Sequence, residues 1–214
     1  MNEILTNPKK VIFCLILLSA VPFFFACGGN VNKGSDGNTS DLGVVINGIT
    51  WATRNVDAPG TFAETPESAG MFYQWNRKVA YPVTGEVTNW DTSTAEGDTW
   101  VKANDPSPVG WRVPTLDEIK SLLDNINVSK EWTTQNGVNG YKFTDRNNGN
   151  SIFLPAAGCR KAVDGTSDYA GNVGVYWSSA QKNYFYIRLL FGRGGAGETS
   201  GSGRIGMPVR CIHK

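Results

Sequence analysis

The chain has 214 residues, 20 basic and 19 acidic side chains and a formal net charge of +1. A charge this close to zero argues against a nucleic-acid-binding protein and against a polybasic membrane patch. Hydrophobic residues make up 40% of the chain and aromatic residues 11%, which is enough apolar material to build a domain core.

The N-terminal 26 residues have the pattern of a secretory signal peptide. Two lysines precede the apolar run Val11–Phe25, which is shorter than the roughly 20 residues that span a membrane. The sequence FFAC, residues 24–27, resembles a bacterial lipobox and predicts cleavage before Cys27 and lipidation of that cysteine. The alternative is an ordinary signal peptide with an incidental cysteine.

The segment that follows is predicted to tether a single domain to the membrane. Residues 27–40 are rich in Gly, Ser and Asn and cannot bury a core, so we expect them to be flexible. Residues 41–214 suit one domain. Lipidation of an exported chain predicts a cell-envelope, outer-membrane lipoprotein, with the periplasmic and surface sides both open.

A hairpin and a helix are the clearest elements of the first half of the domain. Asn47-Gly48 between β-branched residues predicts a hairpin over Val44–Trp51, and Gly70–Asn76 is predicted to form another strand. Thr115 and Glu118 form the S/T-x-x-E capping box of a helix. Its apolar positions recur at helical spacing and are Leu116, Ile119, Leu122, Leu123 and Ile126.

The second half of the domain is predicted to be mainly β. Its candidate strands are Tyr141–Asp145, Ser151–Gly158, Val173–Ser179, Tyr184–Phe191 and Gly206–Ile212. The loop RNNGN separates the first two and predicts a hairpin. A few strands, one amphipathic helix and then mostly strands, joined by long loops, predict an α+β fold with mainly antiparallel strands.

Few residues suit catalysis or metal binding. The only histidine, His213, is one residue from the C-terminal end of the sequence, whereas catalytic triads require a rigidly held histidine. The acidic segments Asp164–Asp168 and Trp90–Asp98 lack the regularity of an EF-hand and are interpreted as solvated loops. We therefore predict no catalytic residues, no metal site and no cofactor.

Two cysteines remain after the leader and the lipidation site are set aside. In an oxidising compartment, Cys159 and Cys211 predict one disulfide. The alternative is a pair of separate buried thiols.

Six segments in conserved order along the chain resemble the Fibrobacter succinogenes major paralogous domain. They are GITWATRNVD (48–57), GMFYQWNR (70–77), DPSPVGWRVPTLDEIKSLL (105–123), FLPAAGCR (153–160), GVYWSSA (174–180) and VRCI (209–212). The resemblance implies a C-type-lectin-like fold, shared with formylglycine-generating enzymes, and agrees with a lipoprotein. Ser107 stands where the family often has a cysteine, which implies that Cys159 replaces it as the partner of Cys211. The calcium signatures EPN and WND of lectins are absent.

The C-terminal stretch from Asn183 to Arg204 is the predicted ligand-binding region. Alternation along a strand assigns Phe185, Ile187, Leu189 and Phe191 to the core, and Tyr184, Tyr186, Arg188 and Leu190 to solvent. The glycine-rich loop after it supplies Arg193, Glu198, Thr199, Ser200, Ser202 and Arg204. Tyrosines among Ser and Gly are typical of antibody-like binding surfaces. The alternative is a surface strand with a flexible hairpin tip.

The sequence therefore predicts a lipid-anchored protein that binds an unknown protein or glycan and catalyses no reaction. Its layout, a fixed YWSS and VRC around the C-terminal stretch, is similar to proteins diversified by retroelements. A structural or adhesive subunit of a surface assembly is the second hypothesis. An enzyme on the fold of the formylglycine-generating enzymes is the third.

Overall fold

A computed structural model describes residues 40–214. The predicted signal peptide, residues 1–26, and the tether with Cys27 lie outside the described residues, apart from Ser40. The fold is α+β, with one α-helix, a short 3-10 helix (Lys102–Asn104) and mainly antiparallel strands in the described part. Within residues 40–214, no helix is long and apolar enough to cross a bilayer.

The elements of the described part follow one another in this order: β1 (Val44–Ile46), β2 (Ile49–Trp51), β3 (Trp111–Arg112), α1 (Leu116–Leu123), β4 (Val128–Gln135), β5 (Val138–Asp145), β6 (Ser151–Pro155), β7 (Cys159–Arg160), β8 (Ser167–Asp168), β9 (Val173–Lys182), β10 (Phe185–Gly192), β11 (Gly195–Gly201) and β12 (Ile212–His213). They form sheets in the spatial orders β1-β2-β12-β3, β4-β5-β6, β9-β10-β11 and β7-β8.

The predicted first hairpin and the capped helix are both confirmed. Asn47 and Gly48 have positive φ, as a type I′ turn requires, and join β1 to β2. Thr115 accepts a hydrogen bond from the backbone N–H of Glu118, whose carboxylate accepts one from the N–H of Thr115. The helix ends at Leu123, so Ile126 lies beyond it and is exposed.

The β4-β5-β6 sheet contains one strand that was not predicted. The predicted hairpin between β5 and β6 is confirmed, and β4 pairs with β5 along its whole length. Its turn is Asn136-Gly137, again with positive φ at both residues. By contrast, the strand predicted over Gly70–Asn76 is reduced to isolated bridges at Phe72 and Tyr73.

The predicted glycine-rich loop is wrong, because most of this stretch is a strand of the C-terminal sheet. Residues Gly195–Gly201 form β11, which pairs antiparallel with β10. The paired residues run from Gly192 opposite Gly195 to Tyr186 opposite Gly201. Small side chains do not prevent pairing, because the ladder is made by the backbone and β10 supplies the packing. The stretch is therefore an edge strand, and the two-residue turn before it is Arg193-Gly194.

Both faces of this sheet pack against core clusters, and this makes the predicted solvent-facing position of Tyr186 wrong. One face packs on a cluster that contains Val175, Trp177 and Tyr186, and the other on a cluster that contains Tyr176, Leu189 and Phe191. Tyr186 was predicted to face solvent, but it is only 4% exposed and its hydroxyl donates to the carbonyl of Ala95.

Phe185 is the second error, because it was assigned to the core and is 58% exposed. The register explains this, since it shifts between Tyr186, opposite Gln181, and Arg188, opposite Trp177. Three residues of β9 thus stand opposite the single Ile187. Such a bulge in β9 bends the end of the hairpin, and Phe185 lies there beside the turn, where its face of β10 is no longer covered.

A buried polar network joins segments that are distant in sequence. The Arg210 guanidinium donates to Asn55 Oδ1 (2.9 Å), the Ala52 carbonyl (3.2 Å) and the Phe153 carbonyl (3.0 Å). Asn55 donates to the hydroxyl of Tyr176, which donates to the carbonyl of Pro155. These residues come from the quoted segments GITWATRNVD, FLPAAGCR, GVYWSSA and VRCI, so in this structure those segments build the centre of the fold.

The predicted disulfide between Cys159 and Cys211 is absent, and both are free thiols. Both pack on the same apolar cluster, but their backbones are held by different partners, which is the physical reason. Cys211 is fully buried next to β2, where its carbonyl accepts from Ala52. Cys159 is half-buried in β7 and pairs across to Asp168.

Candidate functional site

A pocket of about 480 Å³ lies against β10, on the face that carries Arg188 and Leu190. Residues opposite each other on paired strands share a face, and Leu190 pairs with Val175. The walls come from β9, β10, the segment from Cys159 to Tyr169, and Ile205. Apolar side chains line most of it, and they are Ala162, Val163, Val173, Val175, Leu190 and Ile205.

Arg188 supplies the charge at this pocket and has no partner there. Its Nε is buried without a hydrogen-bond partner, and no carboxylate in residues 40–214 forms an ion pair with its guanidinium. Burial lowers the pKa of Arg188, although the Cys159 thiol acts in the opposite direction. A buried cationic group without a partner is costly, so an anion in the pocket would be favoured electrostatically.

Gly201 fixes where the Arg188 guanidinium can lie. A Cβ at Gly201 would sit 3.0 Å from the Cζ and Nη1 atoms of Arg188. The guanidinium therefore rests directly on the backbone of β11, where a side chain would displace it. The glycine is needed for this close approach and not for its backbone conformation.

The other polar groups of the pocket are already engaged or neutral. Lys161 and Asp168 form an ion pair of 3.9 Å at the partly exposed side of the pocket. Burial raises the pKa of the Cys159 thiol, and the charge of Asp168 raises it further. Tyr169 adds an exposed aromatic ring. The pocket thus combines apolar walls with one unpaired cation, a composition typical of small-ligand sites.

Beyond the pocket, Tyr184 lies at the tip of the β9–β10 hairpin. It is 89% exposed and has a φ of +65°, and Asn183 before it has a φ of +51°. Tyr184 also borders a groove of about 440 Å³ with Gln181, Thr94 and Asp98. A bulky residue with positive φ is uncommon and costs conformational energy.

The remaining predicted site residues are spread along β11 and the turns around it. The Arg193 guanidinium lies over the Trp132 ring at 5.6 Å. Glu198 and Ser200 are exposed on β11, and Thr199 is half-buried there. After the strand, the Ser202 hydroxyl accepts from the Arg204 N–H, and the Arg204 guanidinium donates to the carbonyl of Thr92.

The structure therefore brings only some of the predicted site residues together. Arg188 and Leu190 share the pocket, whereas Tyr184 lies at the hairpin tip, Tyr186 is in the core, and Arg193 is directed to Trp132. Sequence reasoning missed Lys161, Tyr169 and Ile205. No local signal marks them, because they reach the pocket only when the segment before β9 and the segment after β11 fold against β10.

The carboxylates of the two acidic segments are engaged by neighbouring groups of the protein. Asp164 accepts from the N–H and hydroxyl of Thr166, and Asp91 pairs with Arg77 at 2.5 Å. Among residues 40–214, no group of three or more His, Cys, Asp or Glu side chains could hold a metal ion. His213 is exposed and contacts Trp111 edge-on.

A larger pocket of about 650 Å³ lies on another part of the domain, between Lys78, Trp100 and Trp111. Its lysines are exposed, and its one arginine, Arg112, is paired with Glu118. The buried Ser107 hydroxyl lines this pocket and has no hydrogen-bond partner, but the pocket contains no buried charged group without one. Compared with known protein families, curated proteins and solved structures, the chain shows no match.

Proposed function

We propose that the protein is a lipid-anchored, outer-membrane protein of the cell envelope that acts by binding a protein or glycan partner. In this proposal Cys27 carries the lipid, residues 27–40 are the tether, and the domain has a C-type-lectin-like fold. The partner contacts the C-terminal hairpin formed by β9, β10 and β11. The leader pattern and the lipobox-like FFAC support the anchor.

The observation that carries this proposal is the residue at the hairpin tip. Three two-residue turns of the described chain have positive φ at both positions, and two of them are Asn-Gly, at 47–48 and 136–137. The third, Asn183-Tyr184, places a tyrosine where the others have glycine. Strain that persists at an exposed position is a feature of functional sites, and it holds the ring in solvent.

Two further apolar side chains of β10 are exposed, one next to this tip and one near the other end of the strand. Phe185 is 58% exposed and Leu190 is 38% exposed, although both belong to a paired strand. Tyrosine and arginine are frequent binding hot spots because they combine large contact area with directed hydrogen bonds. The hairpin thus offers Tyr184, Phe185 and Leu190 for contact, with Arg188 on the same face as Leu190.

A structural or adhesive subunit is a second candidate, favoured by β11. Among the described residues this strand pairs only with β10, so its outer edge has no strand partner. Exposed edges accept strands from other chains. Under this alternative the domain would associate with further copies through β11.

The test compares two triple variants of the full-length lipoprotein in intact cells. The hairpin variant combines Tyr184→Ser, Phe185→Ser and Leu190→Ser. The control variant combines Leu42→Ser, Val109→Ser and Ile126→Ser, which are apolar residues exposed elsewhere on the domain. After crosslinking, quantitative mass spectrometry should show a partner that the hairpin variant loses and the control retains.

Two results would contradict the proposal. Equal partner recovery with both variants would place the interface elsewhere. Concentration-dependent self-association of the wild-type domain in sedimentation experiments, without another partner, would favour the structural subunit. The anchor is tested separately, because a fatty-acid probe should label the wild type and not Cys27→Ala.

A further inference from the structure

The pocket against β10 contains a charge without a counterion. Its walls are apolar, and the ion pair between Lys161 and Asp168 is neutral as a unit. Arg188 is the remaining charged group among the lining residues, with a buried Nε that has no hydrogen-bond partner. The pocket is thus apolar with a net charge of about one positive unit.

A ligand that matches this pocket must supply both an anion and an apolar body. A guanidinium binds a planar carboxylate through two parallel hydrogen bonds, which satisfies charge and geometry together. An uncharged apolar molecule would leave Arg188 without a partner, and a cation would be repelled. The volume of about 480 Å³ lies within the range of small-molecule sites.

We infer that this pocket binds a small apolar carboxylate, with the carboxylate on the Arg188 guanidinium and the hydrocarbon part against Val173, Val175 and Leu190. The inference rests on the proposed binding function and names the chemistry of a ligand for the same hairpin. Gly201 is a positioning residue in this site, because it leaves room for the guanidinium to lie on β11.

Cys159 gives a direct measure of occupancy. Its thiol is half-buried and lines the pocket, whereas Cys211 is fully buried and does not line it. A bound ligand should slow alkylation of Cys159 without affecting Cys211. Because the pKa of the Cys159 thiol is raised, the reaction is followed at mildly alkaline pH, and site-resolved mass spectrometry separates the two cysteines.

The experiment uses three probes of the same shape on the full-length lipoprotein in detergent micelles. They are 4-phenylbutyrate, 4-phenylbutanol and 4-phenylbutylamine, which differ only in the polar group. The carboxylate should protect Cys159 at concentrations at least about tenfold lower than the alcohol, since hydrogen bonds between charged groups are the stronger ones. The amine should protect least.

Variants then assign the selectivity to Arg188. Arg188→Gln removes the charge and should make the carboxylate no better than the alcohol, whereas Arg188→Lys should retain part of the preference. Gly201→Ala should weaken carboxylate protection about tenfold, because the new Cβ meets the guanidinium. Gly197→Ala is the matched control on the same strand, since nothing lies within 4 Å of its added Cβ.

The outcomes separate this inference from the proposed function. Equal protection by carboxylate and alcohol, or unchanged selectivity in Arg188→Gln with an unchanged melting temperature, overturns the inference. Partner crosslinking through Tyr184 can still succeed in that case, and the proposed function then stands without it. Carboxylate-selective protection without any hairpin-dependent partner supports the pocket and contradicts the macromolecular partner.

Discussion

Two regions of the molecule differ in whether the protein supplies hydrogen-bond acceptors to an arginine. At the centre, Arg210 is fully buried, and its three nitrogens donate to Asn55, Ala52 and Phe153. In the C-terminal hairpin, Arg188 is half-buried with an unpartnered Nε. The same residue type therefore crosslinks distant segments in one region and has a nitrogen without a protein partner in the other.

The backbone shows the same contrast between the two regions. The first hairpin, which adjoins the central network, has glycine at the second position of its turn, whereas the C-terminal hairpin has Tyr184 there with a φ of +65°. The C-terminal hairpin thus combines a strained tyrosine with an arginine nitrogen that lacks a partner, although buried side-chain atoms without a partner also occur elsewhere in residues 40–214, at Trp51, Gln74 and Ser107. A stable centre can carry such a region, because stability and binding are then supplied by different residues.

The largest expected effect is at Arg210. Arg210→Met should lower the free energy of unfolding by about 3 kcal/mol, because three buried acceptors lose their donor at about 1–3 kcal/mol each. Removing a buried charge offsets part of this cost. Urea unfolding followed by tryptophan fluorescence measures the change. If Arg210→Met lowers the free energy of unfolding by less than a typical surface substitution does, Arg210 is not the structural crosslink that the contrast with Arg188 requires.

A smaller, pH-dependent effect is expected at Glu118, in the stable region. Burial by itself raises its pKa, but hydrogen bonds from Arg112 and Thr115 outweigh this and leave the pKa below its ordinary value of 4.5. A carboxylate with a depressed pKa stabilises the fold above its unfolded pKa, and this stabilisation is lost as the pH falls through the folded pKa. Glu118→Gln should therefore cost about 1 kcal/mol at pH 7.

The check on Glu118 is the pH profile. Urea unfolding of wild type and Glu118→Gln between pH 7 and pH 3 should give curves that converge at the acidic end. A constant difference across this range would show that the charge of Glu118 is not the source of the stabilisation.

The strained turn should respond in the opposite direction. Tyr184→Gly should raise the free energy of unfolding by roughly 0.5–1 kcal/mol, because glycine adopts positive φ without steric cost. Tyr184→Ser removes the same ring but keeps the strain, so it should not stabilise. Gly48→Ala, at the equivalent turn position with open space around it, should lose a similar amount. Thermal unfolding distinguishes the three.

The smallest change in stability is expected at Arg188. Arg188→Met should alter the free energy of unfolding by less than about 0.5 kcal/mol, because no protein acceptor loses a donor and the methionine fills apolar space. The same substitution at Arg210 is the matched comparison. Equal destabilisation at both positions would show that Arg188 is structural, and would count against the pocket as a ligand site.

Local signals in the sequence were sufficient for several elements. The capping box of Thr115 and Glu118 and the turn Asn47-Gly48 depend on contacts within a few residues, and both form as predicted. The hairpin of β5 and β6 follows from the loop between its strands. Asn136-Gly137 carries the same turn signal, so β4 could also have been predicted from the sequence.

Alternation along β10 could not show whether each face of the strand contacts solvent or protein. The sequence determined that Tyr186, Arg188 and Leu190 share a face, since this needs only the two-residue period of a strand. The tertiary structure decided that Tyr186 packs against Trp75, that Arg188 lies over Gly201, and that Cys159 and Cys211 stay apart. Those outcomes depend on segments up to about 110 residues away in the chain, and no local pattern encodes where such segments come to lie.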